Sequence, residues 1–257
     1  MMHQKLVRHF LMFLITCLFF SHFLLGCASG EIRQQQAQLH LRIGTSLLIK
    51  GHYPQALSEL LEAEKLDPTE PVIQNNLGLA YFVRREYGLS ESHIKKAISF
   101  SPGYSDAKNN LGRVYIEQAR YDDAISELLP VTKDLTYPSP EKCFVNLGLA
   151  YLKKGDMGNA QKMYKKSIES NSRFCPGYNY LGQAYFQQQK YEDAIQSFDT
   201  ALSLCNSNYD EAHYYSALSY YKAGQKEKAE ARFQEVIKLY PNSEYAAKSK
   251  SMLKIIQ

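Results

Sequence analysis

Asn75-Asn76-Leu77-Gly78-Leu79-Ala80-Tyr81-Phe82, followed by Ser90, Ala97 and Pro102, is one cycle of a pattern that runs through the chain. The Leu-Gly pair returns as Ile43-Gly44, Leu111-Gly112, Leu147-Gly148, Leu181-Gly182 and Ser216-Ala217, with spacings along the chain of 34, 34, 36, 34 and 35 residues. Three positions after the small residue stand Leu47, Tyr81, Tyr115, Tyr151, Tyr185 and Tyr220. A second small residue follows at Ala56, Ser90, Ala124, Ala160, Ala194 and Ala229, with Ala63, Ala97 and Ala201 beyond it. Pro68, Pro102 and Pro241 close three of the units. Inside a unit, Leu77, Ala80 and Tyr81, then Ile94, Ala97 and Ile98, recur at helical spacing. Each unit therefore reads as two antiparallel helices that touch through their small residues. Gly51, Gly155 and Gly224 fall at turns between paired helices, and Pro102 and Pro241 stop a second helix. One such hairpin cannot bury its apolar face alone, so the copies must stack into a continuous core.

Period, small-residue placement and closing proline resemble the tetratricopeptide repeat (TPR) over residues 37–243. The resemblance implies an all-α fold, a right-handed superhelical solenoid of six TPR hairpins. After Pro241, Asn242-Ser243 can cap a last helix over 244–257, with Ala247, Met252, Leu253 and Ile256 covering the sixth unit. The abundance of tyrosine is read mainly as packing. Residues 27–36, polar and glutamine-rich, read as a tether.

Lys5 and Arg8 precede an apolar run from Phe10 to Phe20, and Leu24-Leu25-Gly26-Cys27 follows. This is the layout of a bacterial secretory signal, residues 1–26, and its junction resembles the lipobox of bacterial lipoproteins. In that family Gly26 precedes the cut and Cys27 receives a diacylglyceryl group and an N-acyl chain such as palmitate. Leu25 departs from the family, which favours a smaller residue there. Ala28 in place of aspartate points to the outer membrane, facing the periplasm. An uncleaved membrane anchor is the alternative, since residues 10–25 approach spanning length.

Without Lys5 and Arg8, 28 basic and 26 acidic residues remain, a net +2 with no basic stripe, which does not indicate a nucleic-acid binder. No nucleophile elbow, phosphate-cradling glycine loop or His-Glu-x-x-His helix occurs. The histidines are scattered and no Cys-x-x-Cys is present. The reading is therefore of a non-enzymatic chain without metal, cofactor or small-molecule substrate, apart from the covalent lipid. Cys143, Cys175 and Cys205 would sit in an oxidising compartment. Cys175 opens the fifth unit and Cys205 closes it, which favours a disulfide between them. A Cys143–Cys175 bridge across neighbouring first helices, and free buried thiols, remain alternatives.

Functional signal concentrates on the first helix of each unit, taken to line a concave groove. Leu41, Thr45 and Leu48, then Val72, Asn75, Leu79 and Phe82, make an apolar mouth. Asp106, Asn109, Arg113 and Ile116 make a more polar floor. That sequence of surfaces suits an amphipathic peptide or strand of a protein partner. Leu41 and Asp106 stand where a carboxylate-clamping TPR would want basic residues, which argues against binding of chaperone tails.

The spacing widens at Asp134-Leu135-Thr136-Tyr137-Pro138-Ser139-Pro140-Glu141. A Tyr-Pro insertion at this junction, within six repeats behind a lipobox, resembles the type IV pilus biogenesis and stability lipoproteins, the pilotins. The resemblance implies a lipid-anchored scaffold that binds the pilus secretin and helps it reach the outer membrane and form its ring. Other readings are an assembly lipoprotein of tight-adherence pili, type II secretion or polysaccharide export, and a scaffold for peptidoglycan enzymes.

Overall fold

The structure is a computed structural model that describes residues 30–205 and 209–256. The signal segment 1–26 and Cys27 lie outside the described residues. The described chain is helical throughout. Helix α1 takes residues 30–49. It is followed by α2 (Tyr53–Leu66), α3 (Pro71–Val83), α4 (Tyr87–Phe100), α5 (Ser105–Glu117), α6 (Tyr121–Val131) and α7 (Pro140–Lys154). Then come α8 (Met157–Ser170), α9 (Cys175–Gln187), α10 (Tyr191–Leu204), α11 (Asp210–Lys222), α12 (Lys226–Leu239) and α13 (Glu244–Ile256). Odd-numbered helices up to α11 are first helices of hairpins, and even-numbered ones are second helices. The chain divides into two compact units, the first ending at Ala107 and the second starting at Lys108.

The repeat positions explain the hairpins. A Cβ added to Gly44, Gly78, Gly112, Gly148 or Gly182 would run into Leu60, Ile94, Leu128, Tyr164 or Phe198, in each case the residue sixteen positions on. In the sixth hairpin the small residue is Ala217, packed with Phe233. The hairpin turns also share one geometry. In each, a residue of positive φ follows the first helix: Gly51, Arg85, Ala119, Gly155, Gln189 and Gly224. Its N–H and the next one reach back to the last turn, as in Ala119 N to Ile116 O at 3.0 Å and Arg120 N to Tyr115 O at 2.8 Å. This doubly bonded arrangement satisfies carbonyls that the helix end leaves open.

In the first unit, Leu60, Ala63, Ile73, Leu77 and Ala80 form a core with Ala37 and Leu41 of α1. Leu41 is thus a core residue at 7% exposure, not part of a groove. The side of α1 that carries it turns to α2 and α3. The tether reading also needs correction, because residues 30–36 are already helical. Glu31 to Gln36 contains no glycine or proline, and Glu, Arg and Gln are good helix formers.

In the second unit, Leu128, Val131, Tyr137, Cys143, Leu147 and Met163 form one cluster. The insertion between α6 and α7 is held there by buried Tyr137 and by an Asx turn, in which Asp134 Oδ1 accepts Thr136 N at 2.9 Å. Cys175, at the start of α9, is joined to Cys205, just past α10, with Cα atoms 6.2 Å apart. Cys143 is a buried free thiol. Helix α13 covers the sixth hairpin through Ile256, Met252 and Leu253. Ala247 is exposed, and Ala246 and Ser249 are the buried residues beside them. The expected stripe was one position out of phase at its start.

Candidate functional site

The first helices present the faces on which the predicted binding residues fall, and each unit has its own. In the first unit the face is apolar over a hydrogen-bonded floor. The Thr45 hydroxyl donates to the Leu41 carbonyl at 2.7 Å and accepts the Asn76 amide at 2.8 Å. The amide of buried Asn75 reaches Asn76 Oδ1 at 3.3 Å. The Thr45–Asn76 bond ties α1 to α3 and Asn75 supports it from within α3, so Thr45 and Asn75 brace the face more than they offer it. Above them, Leu48 packs half-buried on the core. Val72 is 37% exposed, Leu79 is half-buried, and the half-buried Phe82 ring lies 5.7 Å from Tyr87. Ile49, 82% exposed, and Val83 also belong to this apolar surface. They extend the predicted spacing by one residue at the end of α1 and α3, a signal the sequence carried.

Behind this face, buried Gln74 donates to Glu64 and to the Pro68 carbonyl, both at 2.9 Å, and pairs with His93 Nδ1 at 2.8 Å. Burial, more than the neighbouring Lys96, holds the His93 imidazole below its ordinary range, against the pull of Glu64. It stacks on Tyr81 at 5.3 Å. This network fixes the second hairpin and offers no reactive group.

In the second unit the face is polar and aromatic. Asn146 of α7 donates to Asn109 of α5 at 2.9 Å, which makes buried Asn109 a brace between first helices. Arg113 is half-buried, and burial lowers its pKa while Glu117 and Tyr180 oppose the shift. Ile116 is buried in packing. Around Tyr180 of α9, groups converge from several helices. Burial and Glu211 of α11 push its hydroxyl pKa up, Glu117 adds to them, and Arg113 opposes them. Burial first, with the charge of Glu211 among the smaller causes, also raises the hydroxyl pKa of Tyr209 and of Tyr245 on α13. The Tyr180 ring stacks on buried Tyr164 at 5.6 Å, and Tyr245 lies 5.4 Å from Tyr214. Tyr164 fits the packing role expected of tyrosine, whereas Tyr180, Tyr209, Tyr214, Tyr215 and Tyr245 are only half-buried. The repeat pattern drew attention to the tyrosine after each glycine and passed over these. Their signal was the doublet Tyr214-Tyr215 and the replacement of Asn146 by Tyr180 at the matching position.

Among the described residues, no group of three or more His, Cys, Asp or Glu side chains could hold a metal ion, and no helix is long and apolar enough to cross a membrane.

Residues 44–82 match the TPR repeat family, and residues 132–254 match the tetratricopeptide repeat protein 21 C-terminal ARM domain. The Type IV pilus assembly protein PilF of Pseudomonas aeruginosa is 25% identical over 167 residues, covering 65% of this chain and 66% of its own length. The structure of Pseudomonas aeruginosa PilF superposes with a TM-score of 0.72 at 22% identity, over 86% of this chain and 99% of that one. PilW, described as a widely conserved type IV pilus biogenesis factor, superposes with a TM-score of 0.76 at 19% identity, over 83% and 98% of the two chains. The two structural likenesses speak for the fold, and the sequence match adds kinship. The chain has the fold of a tetratricopeptide-repeat solenoid, and its sequence is similar to that of the Type IV pilus assembly protein PilF.

Proposed function

We propose that the chain is an outer-membrane lipoprotein that faces the periplasm, binds a pilus secretin subunit, and assists its outer-membrane targeting and multimerisation in type IV pilus biogenesis. The observation that carries this reading is the 167-residue kinship with PilF. Its support from the fold is the apolar first-helix face of Val72, Leu79 and Phe82, braced from below by the Thr45–Asn76 hydrogen bond. A partner segment laid on that face buries apolar side chains against an already ordered surface, so little of the binding energy goes into ordering the scaffold. The lipid on Cys27 supplies membrane attachment, since more than one acyl chain anchors far more firmly than a single chain.

Deleting the gene tests this directly. The deletion strain is expected to leave the secretin monomeric and the cells without pili. Complementation with Cys27→Ser is expected to give a folded protein absent from the outer-membrane fraction and unable to restore secretin multimers. Normal secretin rings and twitching in the deletion strain would remove the pilus reading in favour of a scaffold for another envelope machine.

A further inference from the structure

We propose that the outer face of α1 lies on the bilayer surface, with Ile32, Leu39 and Ile43 set into the boundary between headgroups and acyl chains. This placement rests on the reading of residues 1–27 as a membrane attachment. It concerns a different face from the one proposed for the protein partner.

The repeat shows that these residues are out of place in water. Leu39 and Ile43 hold the repeat positions that Ile73 and Leu77 hold in the second hairpin and Cys143 and Leu147 in the fourth. Those four residues are fully buried. Ile73 and Leu77 pack with Leu60 and Ala63 of the preceding hairpin, and Cys143 and Leu147 pack with Leu128 and Val131. Among the described residues no hairpin precedes α1, and there Leu39 and Ile43 stand 48% and 39% exposed. Ile32, two turns before Leu39, continues the stripe and is 57% exposed. A solenoid that ends in solution needs a polar outer face on its terminal repeat, and this one carries leucine and isoleucine. The other side of α1, with Ala37 and Leu41, is already packed on α2 and α3. The helix therefore has two apolar sides, and the fold uses one.

Chain length decides what covers the second. Helix α1 begins at residue 30, three residues after Cys27, and three residues span at most about 11 Å. No glycine or proline falls between Glu31 and Ile43, so an anchor at Cys27 holds the start of a stiff helix at the membrane. An uncleaved anchor over residues 10–25 would do the same. Ile43 stands about 20 Å along α1 from residue 30. An upright helix would carry Leu39 and Ile43 away into water, whereas a flat one brings all three residues to the lipid together. The charges agree with a flat helix: Arg33, Arg42 and Lys50 are exposed against the single acid Glu31. A basic polar surface beside an apolar stripe is what holds a helix in an anionic interface. Three side chains bind weakly by themselves, but the anchor makes their contact intramolecular, so modest affinity suffices. The first hairpin is then held in one orientation, with α2 and α3 on the side of α1 that faces away from the bilayer.

The chain contains no tryptophan, so a single introduced one reports its own surroundings. In the oxidised, folded mature chain Cys27 is the thiol left to react, since Cys143 is buried and Cys175 is joined to Cys205. It can be coupled to a maleimide phospholipid in vesicles of phosphatidylethanolamine with a minority of phosphatidylglycerol, whether or not cells lipidate it. On these vesicles Ile43→Trp is expected to shift its emission to the blue, to lose most of it to lipids brominated on their acyl chains, and to be shielded from acrylamide. Val72→Trp, on α3 at a site of matching exposure (37%), should stay open to acrylamide and unaffected by bromine. Adding Ile32→Ser and Leu39→Ser to Ile43→Trp, both at exposed positions, should bring back most of the acrylamide quenching in a chain whose fold is unchanged. Equal responses of Ile43→Trp and Val72→Trp overturn the proposal. So does shielding from acrylamide without quenching by bromine, which would mean that protein, such as a second copy of the chain, covers the stripe. The coupling keeps the two readings apart: a Cys27 that cells leave without lipid removes the lipoprotein reading, and an Ile43→Trp that stays in water on vesicles removes only this inference.

Discussion

Gly148 and Tyr164 are in such close contact that a Cβ on the glycine would stand 2.5 Å from Tyr164 Cε1. The ring has nowhere to go. It is fully buried, packed with Val145, Leu181 and Ala184 and stacked on Tyr180, so α7 and α8 approach as closely as a bare backbone permits. Gly148→Ala is therefore expected to cost about 1–3 kcal/mol by overpacking. The loss should be read as an earlier midpoint in urea with an unchanged slope. An unchanged midpoint would mean that α7 and α8 are not in this register. The Tyr164 hydroxyl, by contrast, is buried without a partner. Tyr164→Phe should be neutral or raise stability by about 1 kcal/mol, since a polar group left unpaired in the core costs roughly that much.

The six hairpin turns give a prediction of the opposite sign. Arg85, Ala119 and Gln189 hold φ near +60° (62°, 58° and 61°), where a side chain meets the following carbonyl. Ala119→Gly and Gln189→Gly should each stabilise the chain by about 1 kcal/mol, whereas Gly155→Ala, at φ 91°, should destabilise it by a similar amount. Thermal melts of the single variants check this. Glycine variants that melt lower would show that backbone freedom in the unfolded chain outweighs the strain.

Those same turns show where the sequence was legible. Gly51, Gly155 and Gly224 announced three of them, and the repeat phase placed the others, but nothing in Arg85, Ala119 or Gln189 reveals a left-handed residue. The hairpins could be read because each small residue has a large partner at a fixed distance, a relation that survives when glycine becomes Ala217. The groove was less legible. Helical spacing says that Leu41 and Phe82 lie on one side of their helices, but not how far the rotation of α1 carries Leu41 into the core. Leu41 heads the first stack, where α2 and α3 close over it. Asn75 and Asn109 look exposed in a pattern of polar residues, yet both are buried as hydrogen-bonded braces. The charge convergence at Tyr180 draws on residues from Arg113 to Tyr245, and no local motif encodes it.

Asp199 ties three helices together. It accepts from the Tyr220 hydroxyl at 2.6 Å, from Ser216 at 2.8 Å and from Arg232 at 3.0 Å. Asp199→Ala should cost about 2 kcal/mol, because it leaves several donors short of a partner in a half-buried place. The site also sets a pH dependence. Burial first, then the hydrogen bond and charge of Asp199, push the Tyr220 hydroxyl up to about 12, above the value of about 10 for an unfolded tyrosine. The stability this group contributes is full below pH ~10 and is lost as pH rises towards 12, since the unfolded chain releases the proton first. Tyr220→Phe should reduce the alkaline fall of ΔG by at most about 1.4 kcal/mol per pH unit. A variant with the same alkaline slope as the parent would remove Tyr220 from the account.

The three cysteines of the described chain should behave unequally. With Cys175 and Cys205 joined across a separation of 30 residues, unreduced and denatured protein that lacks the signal and Cys27 should take up a single alkylating group, at Cys143. In the folded chain Cys143 should not react, because burial pushes its thiol up to about 12 and keeps the thiolate rare. Replacing both bridged cysteines by serine should cost on the order of 3 kcal/mol by the chain-entropy estimate. Mass spectrometry after alkylation separates the cases, and three labels on unreduced protein would exclude the bridge.

Phe82 carries the functional prediction for the first unit. Its ring is half-buried against Tyr87 and flanked by Leu79 and exposed Val83, so it offers both anchoring area and rigidity. Large aromatic side chains at the centre of a contact carry a disproportionate share of binding energy, often 2 kcal/mol or more, a factor of about 30 in affinity. Phe82→Glu replaces that contact with a charge that a bound apolar segment cannot solvate. The variant should keep its helical circular dichroism and lose no more than about 1–2 kcal/mol of stability from the ring contact with Tyr87. In a deletion strain it should reach the membrane and still leave the secretin monomeric. A melted variant is replaced by Val72→Glu, whose side chain is already exposed and whose loss disturbs little packing. If folded Phe82→Glu and Val72→Glu chains both restore secretin multimers, the apolar face of the first unit is not where the partner binds.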